Sequence, residues 1–259
     1  VVVENRGGAA SIIGTDAGAK AKPDGYTLVI TNGAAITVGP MLGQPITYDP
    51  VEDFEHIFLI GTFPNGLLVN ANHPAKTFQE FIELARQSKR KFNYGSAGVG
   101  SAGYLTGELL KQRAGVEMVH VPYKGTGPAM NDLIGGQLDA LFNNLQAAET
   151  QAKAGNIRIL AVSSPERHPQ FPDVPTMDEI VPGTVAEAWF GISGPKGIPS
   201  EIIDHLEKAL ANVLKDESVR KQLAAVGMTP RGERQQQFAQ FIQDEISKWG
   251  PVIQGIKGN

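Results

Sequence analysis

Two glycine-rich stretches contain the residues of this sequence that are best suited to bind an anion. The first covers residues 92–105 and reads FNYGSAGVGSAGYL, which predicts a strand, a loop of small residues and a helix start. Glycine lets the backbone turn sharply and approach a ligand closely. The first N–H groups of a helix lack intrahelical partners and carry partial positive charge. This loop can therefore hold an anion without a lysine or arginine.

The second stretch covers residues 122–129, PYKGTGPA, and follows a strand predicted at residues 118–121. Thr126 or Gly127 can cap the next helix, and Pro128 suits the first helical position. We expect this loop at the same edge of the sheet as the first one, so that both face one small anion. The neighbouring Lys124 is interpreted as a solvated surface charge.

Asparagine side chains follow two other predicted strands. Asn143 and Asn144 follow the strand predicted at residues 138–142, and Asn32 follows the one predicted at residues 26–30. Open α/β sheets bind ligands at the carboxyl ends of their strands, where an amide side chain can donate and accept. Turn formation is the alternative role for these asparagines. We nevertheless expect one of Asn143 and Asn144 to contact the ligand.

The central loop also matches the G-x-G-x-x-G pattern through Gly98, Gly100 and Gly103. That pattern allows a dinucleotide site and hence an NAD-dependent oxidoreductase. The expected acidic residue at the end of the next strand is missing, because Glu117 precedes that strand. A tight turn for helix–strand packing is a third interpretation of the same glycines.

Composition describes an ordinary globular protein and offers little reactive chemistry. The 259 residues carry a net charge of −4 without long charged runs, which gives no indication of nucleic acid as a partner. Cysteine is absent, and no two of the five histidines have helical ligand spacing, so we predict no metal site. The sequence lacks a G-x-S-x-G elbow and a P-loop. These features favour binding over catalysis and predict no enzyme and no cofactor.

The remaining pattern alternates strands and helices, which predicts an α/β fold with a largely parallel sheet and helices on both faces. The chain opens with VVVE, which resembles the inside or end of a strand. Two short strands are predicted at residues 57–60 and 67–69, about the segment FPNG at 63–66. We expect two lobes with a cleft between them: residues 1–62 plus 190–259 form lobe 1, and residues 63–189 form lobe 2.

Several segments together resemble one family, the periplasmic solute receptors of tripartite tricarboxylate transporters, also called Bug proteins. They occur in the family's order across essentially the whole chain: VVVENR at 1–6, PDGYTL at 23–28, YGSAGVGS at 94–101, VPYKG at 121–125, DLIGGQLD at 132–139, LAV at 160–162, PT at 175–176 with Glu179, and WFG at 189–191. The family pattern begins earlier than Val1, with a strand, a glycine loop and a helix. The resemblance therefore implies that one of two carboxylate-binding loops is missing from this sequence.

The resemblance implies a class II periplasmic-binding-protein fold, two α/β lobes joined by crossing strands. It implies a monomeric periplasmic receptor that delivers a small mono- or dicarboxylate to membrane transporter subunits. Many members carry aspartate where this chain has Asn143, so an amino-acid ligand is disfavoured. A sensory protein of the same fold stays open as an alternative. The predicted ligand-binding residues are Asn32, Ser96, Gly98, Gly100, Ser101, Gly125, Thr126, Gly127, Pro128, Ala129 and Asn143.

Overall fold

The computed structural model describes residues 1–6, 8 and 11–257. The strands are β1 (Val29–Asn32), β2 (Phe54–Asn70), β3 (Phe92–Ser96), β4 (Met118–Pro122), β5 (Ala140–Asn144), β6 (Ile157–Val162), β7 (Glu187–Pro195) and β8 (Thr229–Pro230). The helices are α1 (Ile12–Ala19), α2 (Gly39–Met41), α3 (Phe78–Gln87), α4 (Ala102–Ala114), α5 (Thr126–Ile134), α6 (Leu145–Lys153), α7 (Ser200–Val213), α8 (Glu217–Ala225) and α9 (Gln235–Lys257). A π-helical turn, Ala34–Val38, leads into α2.

The chain divides into two compact units. Unit 1 contains Val1–Thr62 and Trp189–Asn259, and unit 2 contains Phe63–Ala188. The chain passes from one unit to the other within β2 and again within β7. Each unit contains strands and helices of its own, which confirms the predicted α/β class.

Unit 2 is built on a sheet with the strand order β4–β3–β5–β2–β6. β3 pairs in parallel with β4 and β5, so that Tyr94 lies opposite both His120 and Ala140. The second half of β2 pairs antiparallel with β5 and with β6. The prediction of a largely parallel sheet therefore holds for β3, β4, β5 and β6, whose carboxyl ends share one edge. It missed the antiparallel strand between β5 and β6.

β2 is one strand of 17 residues, so the prediction of two short strands was wrong. Gly61 and Thr62 pair with β8, and Asn65 begins the pairing with β5. Pro64, which has no N–H to donate, lies between these two paired stretches. The segment that reads locally as a turn is therefore extended, because partners distant in sequence pair with the residues on either side of it.

Helices cover both faces of the unit 2 sheet. Leu141 belongs to an apolar cluster with residues of α5 and α6, including Leu133 and Leu145. Phe142, the next residue along β5, lies on the opposite face and packs edge-on against Tyr94. Gly103 and Gly107 of α4 lie against Phe142 and Tyr94, since a Cβ on either glycine would meet those residues within 2.4 Å.

Short sequence motifs set the start of α3 and the end of α4. Thr77 Oγ1 accepts from the Glu80 N–H, and the Glu80 carboxylate accepts from the Thr77 N–H, which completes a capping box. Gly115 follows α4 in a left-handed conformation, with φ of 61°. Both boundaries depend on contacts within a few residues, and for that reason the sequence alone specifies them.

Unit 1 contains a second core, in which Trp189 packs edge-on against Phe238 of α9. β1 pairs antiparallel with β7. It begins at Val29, not at Tyr26 as predicted, because the Asp24 carboxylate accepts the Tyr26 N–H and holds a turn. The apolar run YTLVI is typical of a buried strand, but Ile30 is 59% exposed, so β1 is not fully buried.

The first residues of unit 1 also differ from the prediction. Val1, Val2 and Val3 have no regular structure and are exposed. In the described ranges, none of the pairings involves these residues, and a strand without a partner gains no ladder hydrogen bonds. The prediction of a strand at this point was therefore wrong for the structure.

We predict that Gly103→Ala destabilises the protein by about 1–3 kcal/mol, the usual effect of overpacking a close contact. The added Cβ would lie 2.2 Å from the Phe142 carbonyl oxygen, which is backbone and cannot rotate away. Urea denaturation followed by circular dichroism measures the change. Ala102→Gly, in the same helical turn, is the control and should cost about 1 kcal/mol or less. Equal losses in the two variants would contradict the packing argument.

Candidate functional site

The loops that the sequence singled out in unit 2 lie at one edge of its sheet. In the strand register, Ser96 lies opposite Pro122, and Gly95 lies opposite Leu141. β3, β4 and β5 therefore end at nearly the same level, and the chain leaves each one toward a helix. We call this region the amide edge and define it as residues 97–101, residues 125–127 and Asn143.

Two serine hydroxyls hold the glycine loop at Gly98. The Gly98 N–H donates to Ser96 Oγ at 3.2 Å, and the Ser101 hydroxyl donates to the Gly98 carbonyl at 2.7 Å. Ser101 Oγ also accepts the Tyr104 N–H at 3.2 Å and so caps α4. Gly98 has φ of 131° and Gly100 has φ of 81°, both in the region that favours glycine. The loop is therefore held by its own side chains in a conformation that only glycine adopts without strain.

The third glycine of the G-x-G-x-x-G pattern has a different role. Gly103 allows α4 to approach the Phe142 carbonyl, as described above. This is the helix–strand packing role that the sequence left open as one interpretation. β4 ends at Pro122 and is followed by Tyr123 and Lys124, so no acidic residue stands where a dinucleotide ribose would need one.

The amino terminus of α5 is open. The helix begins at Thr126, two residues earlier than the predicted start at Pro128. Gly125 precedes it with φ of 115°, and no side chain caps the helix. By their position in the first turn, the N–H groups of Thr126 and Gly127 have no intrahelical partner, and Pro128 has no N–H. Two amide donors with partial positive charge are thus left at the amide edge.

Asn143 places a side-chain donor beside this helix. The residue is 5% exposed. Its Oδ1 accepts the Asn144 N–H at 2.8 Å and the Thr126 hydroxyl at 3.3 Å. Its Nδ2 is buried and has no hydrogen-bond partner in the described part of the chain. The backbone N–H of Asn144 fixes which atom is the oxygen, so the unpaired group is a donor.

Asn144 has the turn-forming role that the sequence offered as an interpretation. Its Oδ1 accepts the Gln146 N–H at 2.9 Å and caps α6. Lys124 is exposed, in agreement with its interpretation as a surface charge. The amide edge is therefore suited to bind an anion through helix termini and amide groups, without a buried cation among the residues that define it.

A buried polar network lies behind the glycine loop. Ser96 Oγ is 2.7 Å from His120 Nε2, and the imidazole lies beside the rings of Tyr94 and Tyr104. The Tyr94 hydroxyl donates to Glu108 at 2.6 Å. Burial lowers the pKa of His120 to about 4, because the imidazolium would lose its water. Burial and the Glu108 carboxylate raise the pKa of Tyr94. His120 is therefore neutral at neutral pH.

The predicted residue Asn32 belongs to unit 1. Its Nδ2 donates to Ser11 Oγ at 3.0 Å, and its Oδ1 accepts the Ala35 N–H at 3.0 Å. These bonds hold the turn after β1, as expected for an asparagine at a strand end. A ligand contact by Asn32 stays a prediction.

Sequence reasoning missed one polar residue of β2. Asn65 is buried, and its Nδ2 donates to Thr106 of α4 at 3.2 Å. Its backbone N–H donates to the hydroxyl of Ser163, which follows β6. The local signal was a polar residue in the segment 63–66, between the two short strands that the sequence predicted. Its contacts with α4 and β6 depend on the sheet order.

The described residues contain no group of three or more histidine, cysteine, aspartate or glutamate side chains that could hold a metal ion. Within the same ranges, no helix has both the length and the apolar character that are needed to cross a membrane.

The two α/β units and the donor-lined sheet edge define a solute-binding protein of the two-lobed class. The chain belongs to the tripartite tricarboxylate transporter receptor family, TctC, whose family model matches residues 1–257. The resemblance seen in the sequence is thereby confirmed. BugT of Bordetella pertussis is 36% identical over 255 residues, which cover 98% of this chain and 78% of that protein.

Solved structures of the same family are similar along nearly the whole chain. A TctC solute-binding protein from Polaromonas gives a TM-score of 0.88 at 28% identity and covers 98% of this chain and 86% of its own. Rpa4515 of R. palustris, solved with adipate, gives 0.82 at 34% identity, with 98% and 85% covered. MatC of Rhodopseudomonas palustris, with bound malate, gives 0.75 at 31% identity, with 95% and 85% covered. None of these matches supports the oxidoreductase alternative.

We predict that acid destabilises the protein in part through His120. Its pKa is about 4 in the folded protein and about 6.5 in the unfolded chain, so only the unfolded chain takes up the proton between these values. The His120 contribution to stability is complete above pH 6.5 and is lost as the pH falls toward 4. Thermal melts should therefore show a smaller loss between pH 7 and pH 4.5 in His120→Gln than in wild type.

The control for this experiment is His205→Gln, which changes an exposed histidine of α7. It should reproduce the wild-type dependence of melting temperature on pH. The other buried histidines are unchanged in both variants, so they cancel in the comparison. A wild-type slope in His120→Gln would show that this imidazole does not resist protonation in the folded protein.

Proposed function

We propose that this protein is a periplasmic receptor that captures a small carboxylate and delivers it to the membrane subunits of a tripartite tricarboxylate-type transporter. The observation that carries the proposal is the unpaired Asn143 Nδ2 beside the uncapped amino terminus of α5. A buried donor without an acceptor costs free energy, and an anion bound at this point would recover it.

The amide edge has open donors, and two of its acceptors are already engaged. Asn143 Oδ1 already accepts two hydrogen bonds, so the side chain presents its amino group to a ligand. The Gly98 carbonyl likewise accepts from Ser101. The open N–H groups of α5 add further donors, and the helix dipole adds positive potential. A carboxylate supplies acceptor oxygens and a negative charge, whereas an ammonium group would face donors only.

The predicted residues take different parts in this proposal. We assign direct ligand contact in unit 2 to the loop and helix start formed by Gly98, Gly100, Ser101, Gly125, Thr126, Gly127 and Pro128, together with Asn143. Ser96 and Ala129 are fully buried, the first with its hydroxyl engaged within the loop and the second within the apolar cluster of α5 and α6, so we assign both to support. Asn32 is kept as a predicted contact of unit 1.

Two similar proteins indicate which class of carboxylate this chain binds. Rpa4515 was solved with adipate and MatC with malate, and both ligands are dicarboxylates. We propose the same class for this chain, bound by a monomer without a cofactor and released unchanged. We favour transport over a sensory role because the family model describes a transporter receptor. A binding role without catalysis agrees with an edge that offers amides and hydroxyls but no activated nucleophile.

We predict that the wild-type chain binds a small dicarboxylate in isothermal titration calorimetry and rejects its amine-bearing counterpart. Malate, adipate and succinate form the panel, and succinate against aspartate is a matched pair that differs by the amine. Asn143→Asp should weaken binding roughly 100-fold, because it replaces a donor to the carboxylate by a like charge. A panel without any binding would overturn the proposed function.

The control variant is Asn144→Asp, which places the same added charge one residue along the chain. Aspartate caps a helix as well as asparagine does, so α6 is preserved. We expect a loss of about fivefold or less, since the charge is farther from the ligand and partly screened. Equal effects of the two aspartates would mean that Asn143 Nδ2 makes no direct contact. Circular dichroism of both variants checks that the fold is retained.

A further inference from the structure

His120 occupies a defined place between two tyrosines. It lies on β4 opposite Tyr94 of β3. The centre of its ring is 5.0 Å from that of Tyr94 and 4.6 Å from that of Tyr104 on α4. These aromatic contacts hold a half-buried imidazole in place. They also fix the plane of the imidazole and hence the direction of its nitrogen atoms.

One of those nitrogen atoms is directed at the glycine loop. Nε2 lies 2.7 Å from the hydroxyl of Ser96, which is fully buried. The same hydroxyl oxygen accepts the Gly98 N–H at 3.2 Å and lies 3.1 Å from the Gly98 carbonyl oxygen. Three polar groups thus converge on Ser96 Oγ, and His120 is the one that comes from another strand. A serine hydroxyl rotates freely unless a partner fixes it.

The far side of the network is anchored in α4. The Tyr94 hydroxyl donates to Glu108, and Lys111 donates to the same carboxylate at 2.9 Å. α4 also carries Ser101 at its amino terminus, which holds the Gly98 carbonyl. The peptide groups of Gly98 are therefore fixed from one side through His120 and Ser96, and from the other side through α4.

We propose that His120 is a positioning residue for the anion-binding loop. It acts through Ser96, whose hydroxyl it orients so that the peptide groups on either side of Gly98 keep the direction that ligand binding needs. This inference depends on the proposed function for its effect on affinity. A binding loop has to be held within a fraction of an ångström by supporting side chains, and His120 is one of these supporting residues.

The alternative is that His120 only fills space. The two roles predict opposite results for His120→Phe, which keeps the aromatic packing and removes Nε2. A residue that only packs should tolerate phenylalanine, whereas a positioning residue should not. His120→Gln keeps a side chain that can hydrogen-bond with Ser96 but loses the aromatic ring. A positioning residue should tolerate glutamine, whereas a residue that only packs should not.

Binding of malate or adipate, whichever the wild-type chain binds, tests the proposal by calorimetry. We expect His120→Phe to weaken binding about tenfold, as for one lost hydrogen bond, and His120→Gln to stay within about threefold of wild type. Ser96→Ala also removes the contacts of the hydroxyl with Gly98, so it should weaken binding by about tenfold or more. The double variant should bind no worse than Ser96→Ala alone, because His120 acts through that hydroxyl. Wild-type affinity in His120→Phe, or additive losses in the double variant, would overturn the proposal.

Amide hydrogen exchange without ligand separates this inference from the proposed function. In His120→Phe, a peptide covering residues 96–101 should exchange faster than in wild type, and one covering α5 should be unchanged. Unchanged exchange at residues 96–101 would overturn the positioning role even if the protein binds no carboxylate. Faster exchange in a chain that binds no carboxylate would keep the positioning role and reject the proposed ligand class. Melting curves of each variant confirm that it is folded.

Discussion

A polar group that is removed from water needs a hydrogen-bond partner. In unit 2, one buried amide side chain has partners for its oxygen but none for its amino group. Asn143 is buried with its oxygen used twice and its amino group unused. The side chain cannot correct this by rotating, because the exchanged oxygen would leave the Asn144 N–H and the Thr126 hydroxyl without an acceptor. The structure therefore keeps a fixed donor at the sheet edge, next to the uncapped amino terminus of α5.

This donor is placed by the packing of the sheet and not by its own loop. β5 is held between β3 and the antiparallel second half of β2, so its end is aligned with both neighbours. Gly103 brings α4 against the backbone of Phe142, immediately before Asn143. On the other face, α5 is fixed by the apolar cluster that includes Leu133 and Leu141. Three elements that are distant in sequence thus set the position of one amide group.

Amides and helix termini suit a protein that must bind a charged solute and then release it. An isolated helix terminus contributes about 0.3–1 kcal/mol toward an anion when exposed, and up to about 2 kcal/mol when partly buried. A buried lysine would carry a larger desolvation cost whenever the site was empty. Glycines with positive φ keep the backbone close to the ligand, and serine hydroxyls keep it rigid. The glycines that keep the backbone close to the ligand in this way are Gly98, Gly100 and Gly125.

The sequence by itself determined the elements whose causes are local. The capping box at Thr77 and the glycine after α4 mark helix ends through contacts within a few residues, and the apolar run at Ile157–Val162 matches β6. The family and the two glycine loops were also readable, because motif residues and their order are properties of the chain. Only the tertiary structure decided the continuity of β2 and its antiparallel place in the sheet. It also decided which of Asn143 and Asn144 caps a helix and which keeps an unused donor, and it gave His120 a hydroxyl partner. Those outcomes depend on contacts between different elements, such as Asn143 with Thr126 and His120 with Ser96, and hydrogen bonding and packing between separate segments leave no periodic signal in the sequence.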